Sequence, residues 1–160
     1  MDTEMINEYL VLLKHRPVKN AFGLFDHWFY DIPGMDLEVH MGAYAQGTHL
    51  KSGVTKNSHV YSEVKMCREC VDKLLKNTVD LTNVFYYPII NCETLASINF
   101  CSIGVSAQAL FIVSMVITFF ISFINVLFVY FTLILLVLYF IYSKFTYSRT
   151  YYQSCSHIKK

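Results

Sequence analysis

Charge is what the C-terminal half of this 160-residue chain lacks. Residues 94–143 contain no Asp, Glu, Lys or Arg, and only 16% of the sequence is charged, where an ordinary soluble domain carries about a quarter. All 12 acidic and 9 of the 13 basic residues precede Thr94. That asymmetry excludes a simple soluble globule and a disordered regulator, and the roughly 100 residues left over suffice for one small core, which excludes a multidomain enzyme. Proline and glycine are sparse as well, at 3 and 6. No internal repeat or low-complexity linker divides the chain, and no cluster of basic and aromatic residues points to nucleic acid. The opening MDTEMINEYLVLLKHR is acidic, with an apolar run too short for a signal peptide.

Residues 103–142 form a continuous apolar run of 40 residues, twice the length of about 20 that a helix needs to cross a bilayer. The run predicts either two helices in a tight hairpin turning at residues 122–125 or one spanning helix whose remainder packs elsewhere. Asn125 is the turn former in its middle, and the hairpin is the favoured reading. A pore or transporter is disfavoured, because the run has no ionisable group to line a pathway. Beyond it, Lys144, Arg149, Lys159 and Lys160 stand without an acid. Positive charge flanking an apolar run marks the cytoplasmic or nucleoplasmic side. Two spans would put the N-terminal part on that same side, and one span on the other.

Five cysteines, at 67, 70, 92, 101 and 155, cannot all pair within one chain and do not resemble a secreted disulfide framework. Cys67 and Cys70 form a single C-x-x-C. With His49 and His59 upstream they would offer a zinc-ligand set, but one such pair without a second is weakly specific. Two thiols one helical turn apart are the plain alternative.

A coarse pass predicts a helix over 4–14 on the spacing of Met5, Ile6, Tyr9, Leu10 and Leu13, ended by Pro17. Strands follow over 26–32, 35–41 and 58–64, then a helix over 66–76, an apolar strand over 84–90 and a helix starting near Cys92. The fold class is α+β: a small, mostly antiparallel sheet with packed helices over residues 1–101. A transmembrane helix or helical hairpin over 102–143 and a basic tail over 144–160 complete the chain.

The most informative local feature is Pro33-Gly34. A hairpin centred there pairs His27 with His40, and alternation separates two faces. Trp28, Tyr30, Ile32, Leu37, Val39 and Met41 share an apolar face. His27, Phe29, Asp31, Asp36, Glu38 and His40 share a polar one, on which opposite partners lie about 5 Å apart. Further on, Asn91-Cys92-Glu93 falls at a predicted helix N-terminus, where free amides and the helix dipole favour a thiolate and a nearby imidazole would act as base.

The blocks DHWFYDIPGMDLEVHMG and NCETLASINF resemble the lecithin:retinol acyltransferase and small phospholipase/acyltransferase family, a permuted branch of the NlpC-type papain-like thiol fold. The resemblance covers most of residues 20–100. It implies Cys92 as nucleophile, His27 as base and His40 as the residue orienting His27, with no cofactor or metal. Its members often end in a membrane anchor, so a phospholipid or other acyl substrate at a membrane surface is expected. The sequence departs from that pattern at Thr94-Leu95, where the family usually has His-Phe, and it lacks the family's usual Gly-Asp-Leu opening. A second resemblance is to a conserved integral membrane protein of baculoviruses, which implies a role in virion envelopment or nuclear egress. Two functions therefore stand side by side: a membrane-anchored thiol acyltransferase or hydrolase, and a non-catalytic viral envelope protein.

Overall fold

The computed structural model describes residues 8–18, 25–41, 49–82, 91–101, 106–145 and 151–155. Its centre is a six-stranded sheet in the order β4-β3-β2-β1-β5-β6. The strands are β1 (Glu8–Pro17), β2 (Asp26–Ile32), β3 (Leu37–His40), β4 (His49–Leu50), β5 (His59–Cys67) and β6 (Tyr151–Ser154). All pairings are antiparallel except β5 with β6. Among the described residues four helices accompany them: α1 (Arg68–Thr82), α2 (Cys92–Cys101), α3 (Ala107–Ser122) and α4 (Leu127–Phe145). The α+β class with a largely antiparallel sheet is thus as the sequence indicates.

The N-terminal element is a strand, not the expected helix. Leu10 and Leu13 fit a helical stripe, but Val11, Leu13 and His15 are buried in alternation, the period of a strand with one face on a core. Pairing on both edges, with β2 and β5, decides the matter. Met5 and Ile6, the rest of the predicted stripe, lie outside the described residues, as does the predicted strand over 84–90. The helix expected from residue 66 starts at Arg68, because Met66 and Cys67 still pair with Tyr9 and Glu8.

On one face of the sheet, Val11, Leu13, Trp28, Tyr30, Ile32, Val39 and Met41 pack with Val71 and Leu74 of α1 and Leu95 and Ala96 of α2. Helix α1 is amphipathic in the usual way: Val71, Leu74 and Thr78 are buried while Asp72, Lys73 and Lys76 are exposed. The opposite, polar face is buried too: Phe29, Asp31, Glu38 and His40 are nearly inaccessible. The segment 51–58 bonds to it. Ser52 Oγ donates to Asp31 at 2.6 Å and Thr55 Oγ1 to Glu38 at 2.6 Å, while Lys14 forms an ion pair with Asp31. Buried carboxylates persist only with such partners.

The β2–β3 turn is longer than the two residues expected. Pro33–Met35 form a 3-10 turn, and Asp36 takes a left-handed conformation at φ 49° with its N–H donating to Pro33 O. The register shifts by two, so that Phe29 and not His27 stands opposite His40. A shift of two preserves the faces, and the histidines remain diagonal neighbours.

The apolar run folds as a helical hairpin. Ser106 caps α3 by accepting from Ala109 N–H at 3.1 Å. The chain reverses at residues 123–126, and Thr132 Oγ1 donates across to Thr118 Oγ1 at 3.0 Å. Among the described residues no helix is long and apolar enough to cross a membrane, so the spanning helix expected from the run is not found. At 1.5 Å per residue, 16-residue α3 and 19-residue α4 reach roughly 24 and 28 Å, short of the roughly 30 Å of hydrocarbon core. Residues 151–154, within the basic tail, supply the sixth strand.

Candidate functional site

Cys92 is held against the start of β2, ahead of the first described β2–β3 pair. Val18 N–H donates to Phe25 O at 2.8 Å, so odd residues of β2 bond towards β1 and even residues face the β3 side. There the described ladder begins at Phe29–His40, and Asp26 and Trp28 precede it. Cys92 lies against these two residues. Its Sγ accepts from Trp28 N–H at 3.4 Å and donates to Asp26 O at 3.6 Å, which places the sulfur against the backbone on both sides of His27.

Helix α2 delivers Cys92 in a fixed pose. Asn91 Oδ1 accepts from Thr94 N–H at 3.0 Å, and Thr94 Oγ1 accepts from Asn91 N–H at 3.4 Å, a reciprocal cap of the capping-box kind. Thr94 and Leu95, the departure from the acyltransferase pattern, therefore have local duties: one closes the cap and the other is buried in the core. The amides of Cys92 and Glu93 also face the sulfur.

The histidines join into a relay. His27 Nε2 lies 2.9 Å from His40 Nδ1 with the rings nearly coplanar. His40 Nε2 lies 3.3 Å from both Glu38 Oε2 and Thr55 Oγ1. A carboxylate can only accept, and Thr55 gives both its N–H and its O–H to Glu38. His40 Nε2 must then carry a hydrogen, His40 Nδ1 must accept, and His27 Nε2 must donate to it. The lone pair of His27 is left on Nδ1. Glu38 thus dictates the tautomer of a histidine two bonds away.

Electrostatics keep this constellation neutral. Burial first, then the charges of His40 and Arg16, lower His27 to about 4. Burial also lowers His40, against the opposing pull of Glu38. Burial pushes the Cys92 thiol up to about 11 despite the amides aimed at it. The expected resting thiolate is therefore corrected to a thiol: desolvation outweighs the helix N-terminus. Such a thiol ionises only as its proton is taken.

The profile of the Baculoviridae AC81 family matches residues 2–158, nearly the whole chain. The chain belongs to that family. No curated protein and no solved structure matches it. Membership of the AC81 family makes it a viral protein, in keeping with the second resemblance seen in the sequence. The lecithin:retinol acyltransferase and NlpC-type resemblance receives no support from these matches.

Within this AC81-family chain, sequence reasoning missed Glu38 and Thr55. Glu38, placed on the polar face without a role, is fully buried. Its position two residues before His40 on one strand was the available signal, since i and i+2 share a face. The zinc set drawn from Cys67, Cys70, His49 and His59 is not assembled. His49 sits on β4, at the opposite end of the sheet from β5, and His59 neighbours His15, with ring centroids 5.9 Å apart.

Proposed function

We propose that this chain acts at a membrane of the infected cell, in the envelopment of virions or their egress from the nucleus, with its α+β domain held at the bilayer by the α3–α4 hairpin. The observation that carries this reading is the hairpin's surface. Phe123, Ile124 and Val126 at its tip are 75%, 88% and 70% exposed, and apolar residues from Leu110 to Ile141 lie open along both helices. Exposed apolar surface of this extent marks a membrane or partner contact, and the absence of any charge favours lipid.

Each helix is shorter than the hydrocarbon core, so the hairpin dips in from the domain's side and its tip stays in lipid. A tip in that position needs its backbone satisfied internally. Phe123, Ile124 and Asn125 N–H groups donate to carbonyls of Phe120 and Ile121, and Asn125 Oδ1 accepts from Leu127 N–H at 3.0 Å. The basic residues beyond α4 favour the cytoplasmic or nucleoplasmic face. The test is a virus encoding Phe123→Asp with Ile124→Asp. Nucleocapsids should form but remain unenveloped, and the chain should leave membranes on alkaline extraction; normal envelopment and retention would overturn the proposal.

A second reading is favoured by the 2.9 Å His27–His40 contact beside Cys92. As Cys92 Sγ attacks an ester carbonyl of a phospholipid, its proton passes to His27 Nδ1. The tetrahedral oxyanion meets the amides at the start of α2, and collapse to a thioester returns the proton to the departing alcohol. Water or a second acceptor then takes the acyl group. Incubation with phosphatidylcholine vesicles should leave an acyl mass on Cys92 that hydroxylamine removes and that His27→Ala abolishes. If no adduct forms, and envelopment survives both Cys92→Ser and His27→Ala, the catalytic reading is lost and the membrane role stands.

A further inference from the structure

Three cysteines from separate parts of the chain meet at the far side of the sheet from the histidines. Cys67 is the last residue of β5, and Cys70 lies in the first turn of α1. Cys155 follows β6 and is held in register by its own N–H, which donates to Lys65 O at 2.9 Å. Their Sγ atoms all lie within 4.8 Å of one another, and none of the three is in a disulfide. As thiols they hydrogen-bond one another, and Cys70 is pushed up to about 12 by burial and then by its two neighbours.

We infer that Cys67, Cys70 and Cys155 form a zinc site that fastens the end of the chain to the sheet. Soft thiolates select zinc among the common divalent ions, and tetrahedral geometry with Zn–S of about 2.3 Å sets the sulfurs about 3.8 Å apart. The observed spread requires each sulfur to move inward by less than about 1 Å, within reach of a χ1 adjustment on fixed backbone. Among the described residues three ligands are at hand, one fewer than the four that close a structural zinc site. A redox role fits less well, since a disulfide would use two of the sulfurs and leave the third unexplained.

The site has a structural consequence. The hairpin leaves the domain through α2 and returns through β6, and a metal joining β6 to α1 would close that excursion at its return end. The C-x-x-C alone could not have indicated this, because its partner lies 85 positions beyond Cys70 and joins it only through the parallel β5–β6 pairing.

The experiment is metal analysis of the full chain purified in detergent without chelator, followed by replacement of the ion with Co(II). A stoichiometric zinc ion and a sulfur-to-cobalt charge-transfer band are expected, both lost in Cys155→Ser and in Cys67→Ser and both kept in Cys92→Ser. Misfolding of a variant does not blunt the test, because the unmodified chain must itself give the cobalt band. Absence of zinc together with absence of that band would overturn the inference. So would a Cys67–Cys70 disulfide in peptides mapped without reductant, or zinc retained in both serine variants. None of these outcomes depends on the membrane or acyl-transfer readings.

Discussion

At the scale of single residues, the site combines a hydrogen-bonded pair of histidines with a thiol that burial holds protonated. With Cys92 raised to about 11, iodoacetamide should label it slowly at neutral pH, and the rate should climb towards that value without a plateau near the pH of about 8.5 typical of a free cysteine. A plateau below pH 8, read by peptide mass spectrometry, would contradict the buried-thiol account. Glu38→Gln keeps the shape but adds a donor where His40 Nε2–H needs an acceptor. It should therefore lower acyl-adduct formation roughly tenfold or more while Glu38→Asp partly rescues it, an effect on tautomer that a purely structural role would not produce. His27 also makes a thermodynamic statement. Its folded pKa, about 4 against an ordinary 6.5, means that the unfolded chain binds the proton more readily. Stability is then full above about pH 6.5 and falls as pH drops towards 4, by up to about 3 kcal/mol at 1.36 kcal/mol per unit. The lowered pKa of His40 acts in the same direction. Thermal unfolding between pH 7 and 4 should show this slope, and His27→Gln should flatten much of it.

At the scale of elements, the short caps bear more of the architecture than the strands' propensities do. Asn91 caps α2, and its Nδ2 donates to Ser106 Oγ at 3.1 Å; Ser106 in turn donates to Glu93 at 2.5 Å and caps α3. One buried cluster thus starts both the helix bearing Cys92 and the hairpin. Asn91→Ala should cost about 1–2 kcal/mol for the cap and more for the orphaned neighbours, lowering the unfolding midpoint and loosening Cys92 towards alkylating agents. A midpoint unchanged by the substitution would show that the caps are not coupled. This level was partly legible beforehand. Asn-Cys-Glu before a helical stretch located the start of α2, and alternation in β2 and β3 put His27, Glu38 and His40 on one face even though the register was two residues off. What escaped was anything settled by distant pairing. A run such as EYLVLLKHRP satisfies helical and strand spacing at once until β2 and β5 take its two edges, and the burial of Glu38 depends on Thr55, 17 positions away.

At the scale of the whole molecule, the chain's return to the sheet fixes a relation that hydropathy leaves open. An apolar run of 40 residues allowed the domain and the tail to lie on the same or on opposite sides of a membrane. Strand β6 pairs with β5 through Ser62–Tyr151 to Lys65–Ser154, and such a ladder requires both segments in one compartment. A hairpin set in a membrane as proposed above would therefore enter and leave by the same face, whatever its depth. Maleimide labelling of intact membranes carrying the full chain tests this directly. A membrane-impermeant reagent applied from the domain's side should reach an Asp72→Cys residue on the exposed face of α1. An Ile124→Cys residue at the hairpin tip should resist it from either side until detergent is added. Labelling of Ile124→Cys from the opposite side alone would mean that the tip emerges and the hairpin spans. Labelling from the domain's side without detergent would mean that the apolar surface is covered by protein and not by lipid.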